Sequence, residues 1–169
     1  MDIRFSGYDD FTINIHVSIC FMKIVKYPDE FLRKESRPVE EVGEEERKLM
    51  DDMLQTMYEA NGIGLAAVQV GHHKRIAVVD TSASKSNPIF LVNPVLVQQS
   101  DLTLTGEEGC LSAPGKFAKV PRQTRIKIEY MCYHGKRLCK TFYDLTAIVI
   151  QHEIDHMNGK LCIDHEWYR

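Results

Sequence analysis

The stretch Asp144 to Met157 reads DLTAIVIQHEIDHM, and its periodicity decides the fold. At about 100° per residue, Leu145, Ile148, Val149, His152 and His156 share one face of a helix, while Ile150, Ile154 and Met157 occupy the other. A helix that is apolar on two sides is buried between layers rather than laid on a surface. Asp144 reads as its N-cap. The helix therefore carries His152 and His156 into the interior, where an imidazole needs a hydrogen-bond or metal partner.

Working outward, Leu49, Met50, Met53, Leu54, Met57 and Tyr58 recur at helical spacing between Glu44 and Ala60, and Asn61-Gly62 supplies a stop. Short Val- and Ile-rich runs follow at Arg75 to Asp80 and at Ile89 to Asn93, with the length of strands. From Arg125 to Cys132 the residues Ile126, Ile128 and Tyr130 alternate with Lys127, Glu129 and Met131; Arg137 to Tyr143 returns as the hairpin partner. The expected class is α+β, with antiparallel strands packed around a central buried C-terminal helix. A β-prone run from Phe11 to Phe21 precedes Met22, so residues 1–21 read as an N-terminal extension of uncertain role and 22–169 as a single domain.

Bulk properties narrow the function. With 169 residues, 44% hydrophobic, 27% charged and a formal net charge of -3, the chain suits one globular domain and offers no broad positive field for nucleic acid. Its five cysteines form no CxxC pair or disulfide framework, which fits a reducing compartment. No run approaches the roughly 20 apolar residues of a membrane span. Asp2, Asp9 and Asp10 against a single Arg4 is the wrong balance for a targeting peptide, so the expected location is cytoplasmic.

Three short segments carry chemistry. In His152-Glu153-Ile154-Asp155-His156 the histidines lie one turn apart and can reach one ion, with Glu153 beside them as a base. Two satisfied core histidines would look similar in isolation. A catalytic metal usually takes three protein ligands. The third could be Cys110, in the glycine-flanked segment Glu107 to Gly115, or His165 or Glu166 downstream, as in a zincin-like peptidase. A structural zinc closed by Cys132, Cys139 or Cys162 is a further reading, and a free cysteine such as Cys110 is often only a small buried hydrophobe. The third segment, Gly62 to Gly71, brings backbone close to a ligand and offers the Gln69 amide to a developing negative charge, although a glycine turn after a helix is ordinarily a cap.

Together, Gly62 to Gln69, Glu108 to Ser112 and His152 to His156 resemble the GxGxAAxQ, EGCLS and HExDH motifs of the peptide deformylase family, in the same order. The resemblance runs from about Met22 through Asp164, including Tyr27-Pro28-Asp29, Leu32-Arg33 and Asn93-Pro94. It implies hydrolysis of the N-formyl group from the initiator formylmethionine of nascent polypeptides, with release of formate. It also implies Cys110, His152 and His156 as metal ligands and Glu153 as general acid/base, with Gln69 and the Leu111 backbone amide as oxyanion donors. Gly64 matches a residue whose backbone contacts substrate, Ile63 and Leu145 match the methionine pocket, and Glu108 with Arg122 matches a buried ion pair. The implied cofactor is one divalent ion, Fe2+ in the cell, with Zn2+, Ni2+ or Co2+ acceptable to the same donors. Expected partners are formyl-Met nascent peptides and the ribosome, with no nucleic-acid specificity and no membrane. Val68 fills a variable slot of the first motif, Phe117 stands where some relatives place arginine, and the chain stops at Arg169 without the long C-terminal helix of many bacterial relatives.

Overall fold

The computed structural model describes residues 21–165 and 167–168. Apart from Phe21, the expected extension and its β-prone run lie outside the described residues. Helix α1 (Glu44–Glu59) opens on three glutamates, whose charges complement its positive end, and Glu46 Oε2 accepts the Gly43 N–H at 3.0 Å. It ends where expected: Ala60 caps it and Asn61 turns the chain at φ 53°.

The strands in chain order are β1 (Gly64–Ala66), β2 (Ile76–Val79), β3 (Ile89–Gln99), β4 (Thr103–Cys110), β5 (Ala113–Gln123), β6 (Arg125–Met131), β7 (Arg137–Tyr143) and β8 (Trp167–Tyr168). Helix α2 (Asp144–Met157) follows β7 directly. Five strands form an antiparallel sheet in the order β1-β2-β3-β6-β7, and β4-β5-β8 form a second, smaller one.

Strand alternation explains the layering. On β2, Ile76 and Val78 join Met50, Met53 and Met57 of α1 in one core cluster, while Ala77 and Val79 join Val149, Ile150 and Met157 of α2 in another. The large sheet thus separates the two helices. Helix α2 also packs against β5, so both its apolar faces are covered and it is the central buried element that its pattern implied.

Three details depart from the sequence reading. Asp144 is not the N-cap: Tyr143 takes that position without a side-chain cap, and Asp144 sits at φ 49° with its N–H donating to Thr124 O at 2.8 Å. Strand β3 does not stop at Asn93, because a register shift between Val92 and Val95 removes Pro94 from the ladder and lets pairing resume. Asn93, at φ 51°, accepts from Val39 N at 2.8 Å and donates to Val39 O at 2.7 Å. The β4–β5 hairpin, long and rich in polar residues, had no counterpart in the reading.

Asp80, at the end of β2, fastens the loop beyond it. Its N–H donates to Ile63 O at 2.9 Å, and its carboxylate accepts from Tyr58 Oη (2.5 Å), Ser82 Oγ (2.6 Å), Ser82 N (2.9 Å) and Asn87 N (3.2 Å). Burial alone would push this carboxyl up, but the donors outweigh it and hold the group below the usual range. A depressed folded value adds stability above the unfolded value of about 3.9, and that stability is lost as pH falls through the folded one. Asp80→Asn is therefore expected to cost about 1–3 kcal/mol at pH 7. In urea melts the deficit should shrink below about pH 4; a deficit independent of pH would contradict the assignment.

Candidate metal centre and substrate cavity

The site forms where α2 meets the β4–β5 turn. Cys110 closes β4, pairing with Ala113 across the two-residue turn Leu111-Ser112. His152 and His156 rise one turn apart on α2, with ring centroids 4.8 Å apart. His156 Nε2 lies 3.2 Å from Cys110 Sγ and 3.1 Å from His152 Nε2, and all three candidate ligand atoms fall within 4.8 Å of one another. A tetrahedral ion with bonds of 2.0–2.3 Å separates its N and S ligands by about 3.3–3.6 Å. The two separations from His156 lie just under that range, so the donor types and their convergence suit one such ion.

Neighbouring charges orient the imidazoles. Glu108 Oε2 lies 2.9 Å from His152 Nδ1, and Arg122 donates to the same carboxylate through Nε (2.8 Å) and Nη2 (3.0 Å). Burial would push the Glu108 carboxyl up, but His152 and Arg122 bring it down to about 2. Burial would lower the His152 imidazole, but the Glu108 carboxylate holds it above its ordinary value; an ionised carboxylate only accepts, so His152 donates from Nδ1, and an ion held at Nε2 would displace the second proton. Burial holds His156 well below the ordinary histidine value, which keeps it neutral and able to ligate. Arg122 reaches on to Asp155 at 2.5 Å, so one guanidinium joins β4, β5 and α2.

Glu153 is 2% exposed, its Oε2 has no hydrogen-bond partner among the described residues, and burial pushes its carboxyl up to about 7. Such a group both takes and returns a proton near neutral pH. The carboxyl leans against β1: a Cβ on Gly64 would fall on Glu153 Oε1 and come within 2.7 Å of Val149 Cγ1. Gln69 is also held. Its Oε1 accepts the Ala66 N–H at 2.8 Å, which turns Nε2 toward Ser112 Oγ (3.1 Å) and Cys110 Sγ (3.6 Å). Leu111 lies on the turn, and its carbonyl accepts from Lys26 Nζ at 2.5 Å. The Val25 N–H binds Gln69 O at 2.8 Å and the Tyr27 N–H binds Ser112 O at 2.7 Å, so one extended segment pins both loops.

A cavity of about 480 Å3 opens beside these groups. Ile63 and Leu145, 43% and 50% exposed, stand at its rim, and Ile148 and Val149 line it with Gly64. Helical periodicity put Ile148 and Val149 on the His152 face without suggesting a role, and Asn61 of the wall was read only as a helix stop and Glu107 only as the start of the Cys110 segment. The rival ligands fare differently. His165 is exposed, Glu166 lies outside the described residues, and among the described residues the clustered ligand atoms belong to Cys110, His152 and His156. Cys132 and Cys139 lie on or beside the β6–β7 hairpin, whereas Cys162 packs with Cys110.

A family model described as polypeptide deformylase matches residues 21–166. The chain belongs to the peptide deformylase family. It is 50% identical over 144 residues to a peptide deformylase of Pelagibacter ubique, covering 84% of each chain. The crystal structure of a peptide deformylase from Legionella pneumophila is similar at a TM-score of 0.83 and 42% identity, over 87% of this chain and 86% of that one. That of peptide deformylase from Ehrlichia chaffeensis in complex with actinonin has the same TM-score at 39% identity, over 86% and 88%. Peptide deformylases are metal-dependent hydrolases that remove the N-formyl group from nascent polypeptides.

The Gly64 contact predicts a rate effect. Gly64→Ala should displace the Glu153 carboxyl and lower kcat for formate release on the order of 10²-fold. Gly106→Ala is the control, since a methyl group at that position would meet nothing within 4 Å. Equal rates for the two variants would contradict the steric reading.

Proposed function

We propose that this chain hydrolyses the formamide of formylmethionine at the start of nascent polypeptides, yielding formate and a free amino terminus. One observation carries the reading: a thiol and two imidazoles converge beside a buried, unpaired carboxyl at the mouth of an apolar cavity. Cys110, His152 and His156 would hold one divalent ion, which supplies Lewis acidity and makes water nucleophilic at neutral pH. Fe2+ is the proposed cellular metal; Zn2+, Ni2+ and Co2+ suit the same donors.

The remaining steps belong to the chain. Glu153 takes the proton from the attacking water and delivers it to the departing amine, a double role suited to a carboxyl near 7. The Gln69 amide, held by Ala66, donates to the oxygen that gains charge as the formyl carbon becomes tetrahedral, and the Leu111 N–H is the second donor. Glu108 keeps the His152 tautomer, and Arg122 keeps Glu108 ionised. The methionine side chain occupies the cavity between Ile63, Leu145, Ile148 and Val149. Because β1 is an edge strand, the free side of Gly64 can pair with the peptide main chain that follows.

The catalytic domain proposed here spans 22–169. Met22 N donates to Thr56 Oγ1 at 3.0 Å, and Val25 and Tyr27 brace the Gln69 and Ser112 loops, which favours a unit that begins near Met22. A protein starting at Met22 is expected to keep the melting temperature and formate release of the full chain; loss of either would assign residues 1–21 a part in the domain. Action in the cytoplasm beside the ribosome belongs to the same proposal.

Anaerobic purification, metal analysis and a formate-release assay on formyl-Met peptides test the activity. Glu153→Gln should retain stoichiometric metal and lose about 10²–10⁴-fold in kcat. Undiminished turnover by that variant would rule out the mechanism.

A further inference from the structure

The mechanism leaves one thiol at the site without a role. Cys162 is 2% exposed in the 3-10 turn Cys162–Asp164, which packs against β4 and β5. Cys110 packs against the core cluster that holds Cys162, Leu161 and Ile163, and the two thiol side chains interact. Cys162 is not part of the group that could hold the ion. Cys110 therefore has two neighbourhoods: the cavity and the imidazoles on one side, a second sulfur on the other.

We propose that Cys110 and Cys162 form a reversible disulfide when a peroxide enters the cavity. Cys110 lines that cavity and meets the oxidant first. Its sulfur attacks one peroxide oxygen, the O–O bond breaks, and Cys110 becomes a sulfenic acid as water leaves. The Cys162 sulfur then attacks the Cys110 sulfur; the S–S bond forms, the S–O bond breaks, and the hydroxide takes the remaining thiol proton to leave as water. Two thiols and one peroxide thus give one disulfide and two waters, the two electrons passing from sulfur to oxygen. A free sulfenic acid beside an open cavity would be exposed to further, irreversible oxidation. Cys162, screened from solvent and packed with Cys110, is placed to intercept it. Cys139 is exposed on β7 and Cys132 follows β6, so neither shares this cluster.

A disulfide sulfur cannot serve as a thiolate ligand, so oxidation would release the ion. That consequence rests on the proposed role of Cys110, whereas the cross-link itself does not. The holoprotein, freed of reductant, is treated with one equivalent of hydrogen peroxide and followed by intact mass, non-reducing peptide mapping and a chromophoric chelator. The expected product is about 2 Da lighter, with one linked peptide pair carrying Cys110 and Cys162 and with metal released in step. Dithiothreitol should restore the starting mass and metal uptake. Given two or three equivalents of peroxide, Cys162→Ser should instead gain about 32 or 48 Da at Cys110 without recovery. Oxygen added at Cys110 of the wild-type protein with no linked pair, a link to another cysteine, or cysteines left unchanged would overturn the proposal, even if the variant failed to fold. A linked pair in a protein without formate-releasing activity would leave the disulfide standing and remove the deformylase reading.

Discussion

The carboxylate of Glu108 is the constraint on which the site depends. It is a nearly buried charge, and such a charge is tolerated only when its partners are close and well directed. Arg122 approaches it from β5 with two N–H groups, and His152 faces it from α2. The same guanidinium then reaches Asp155 one turn beyond. Pairing this one charge requires that the small sheet and the terminal helix meet in a single register. That register brings the Cys110 sulfur to the two imidazoles. The Nδ1 proton of His152 follows from the same contact, so the placement of the candidate ligands and the orientation of this imidazole have a common origin.

The second consequence concerns space. Glu153 has no room beside any strand bearing a side chain at position 64, and glycine there lets the carboxyl lie against the backbone. The strand that makes this concession is also, among the described residues, an edge of the large sheet. The buried Glu153 carboxyl, the β1 edge and the apolar cavity are therefore neighbours because one short strand borders all three. Lys26, Val25 and Tyr27 hold the opposite wall by its carbonyls, leaving the Leu111-Ser112 turn fixed from outside.

Much of this was legible in the residues. The two-faced apolar pattern of DLTAIVIQHEIDHM signalled a central helix because burial on both sides leaves no polar stripe, and α2 has that burial. The alternation of Ile126, Ile128 and Tyr130 marked the face of β6 that packs on α2. Local patterns failed where non-local pairing decided the outcome. Gly64–Ala66 reads as the aftermath of a helix cap, yet β2 recruits it as a strand. Thr103–Cys110 contains two glycines and two glutamates, a poor strand in isolation, and forms only because β5 lies alongside. Asp144 carried a capping side chain but follows β7 with no loop between, and its positive φ leaves that side chain no capping role. The contact between Cys110 and Cys162 had no sequence signal at all, since 51 intervening positions say nothing of proximity.

If one thiolate and two imidazoles share an ion and leave a position open beside Glu153, X-ray absorption at the metal edge of the anaerobically purified protein should show it directly. The expected first shell is one sulfur at about 2.3 Å and two nitrogens at about 2.0–2.1 Å, completed by a light atom from solvent. A shell without sulfur, or one with a second sulfur closing it, would contradict that coordination and the hydrolytic chemistry built on it.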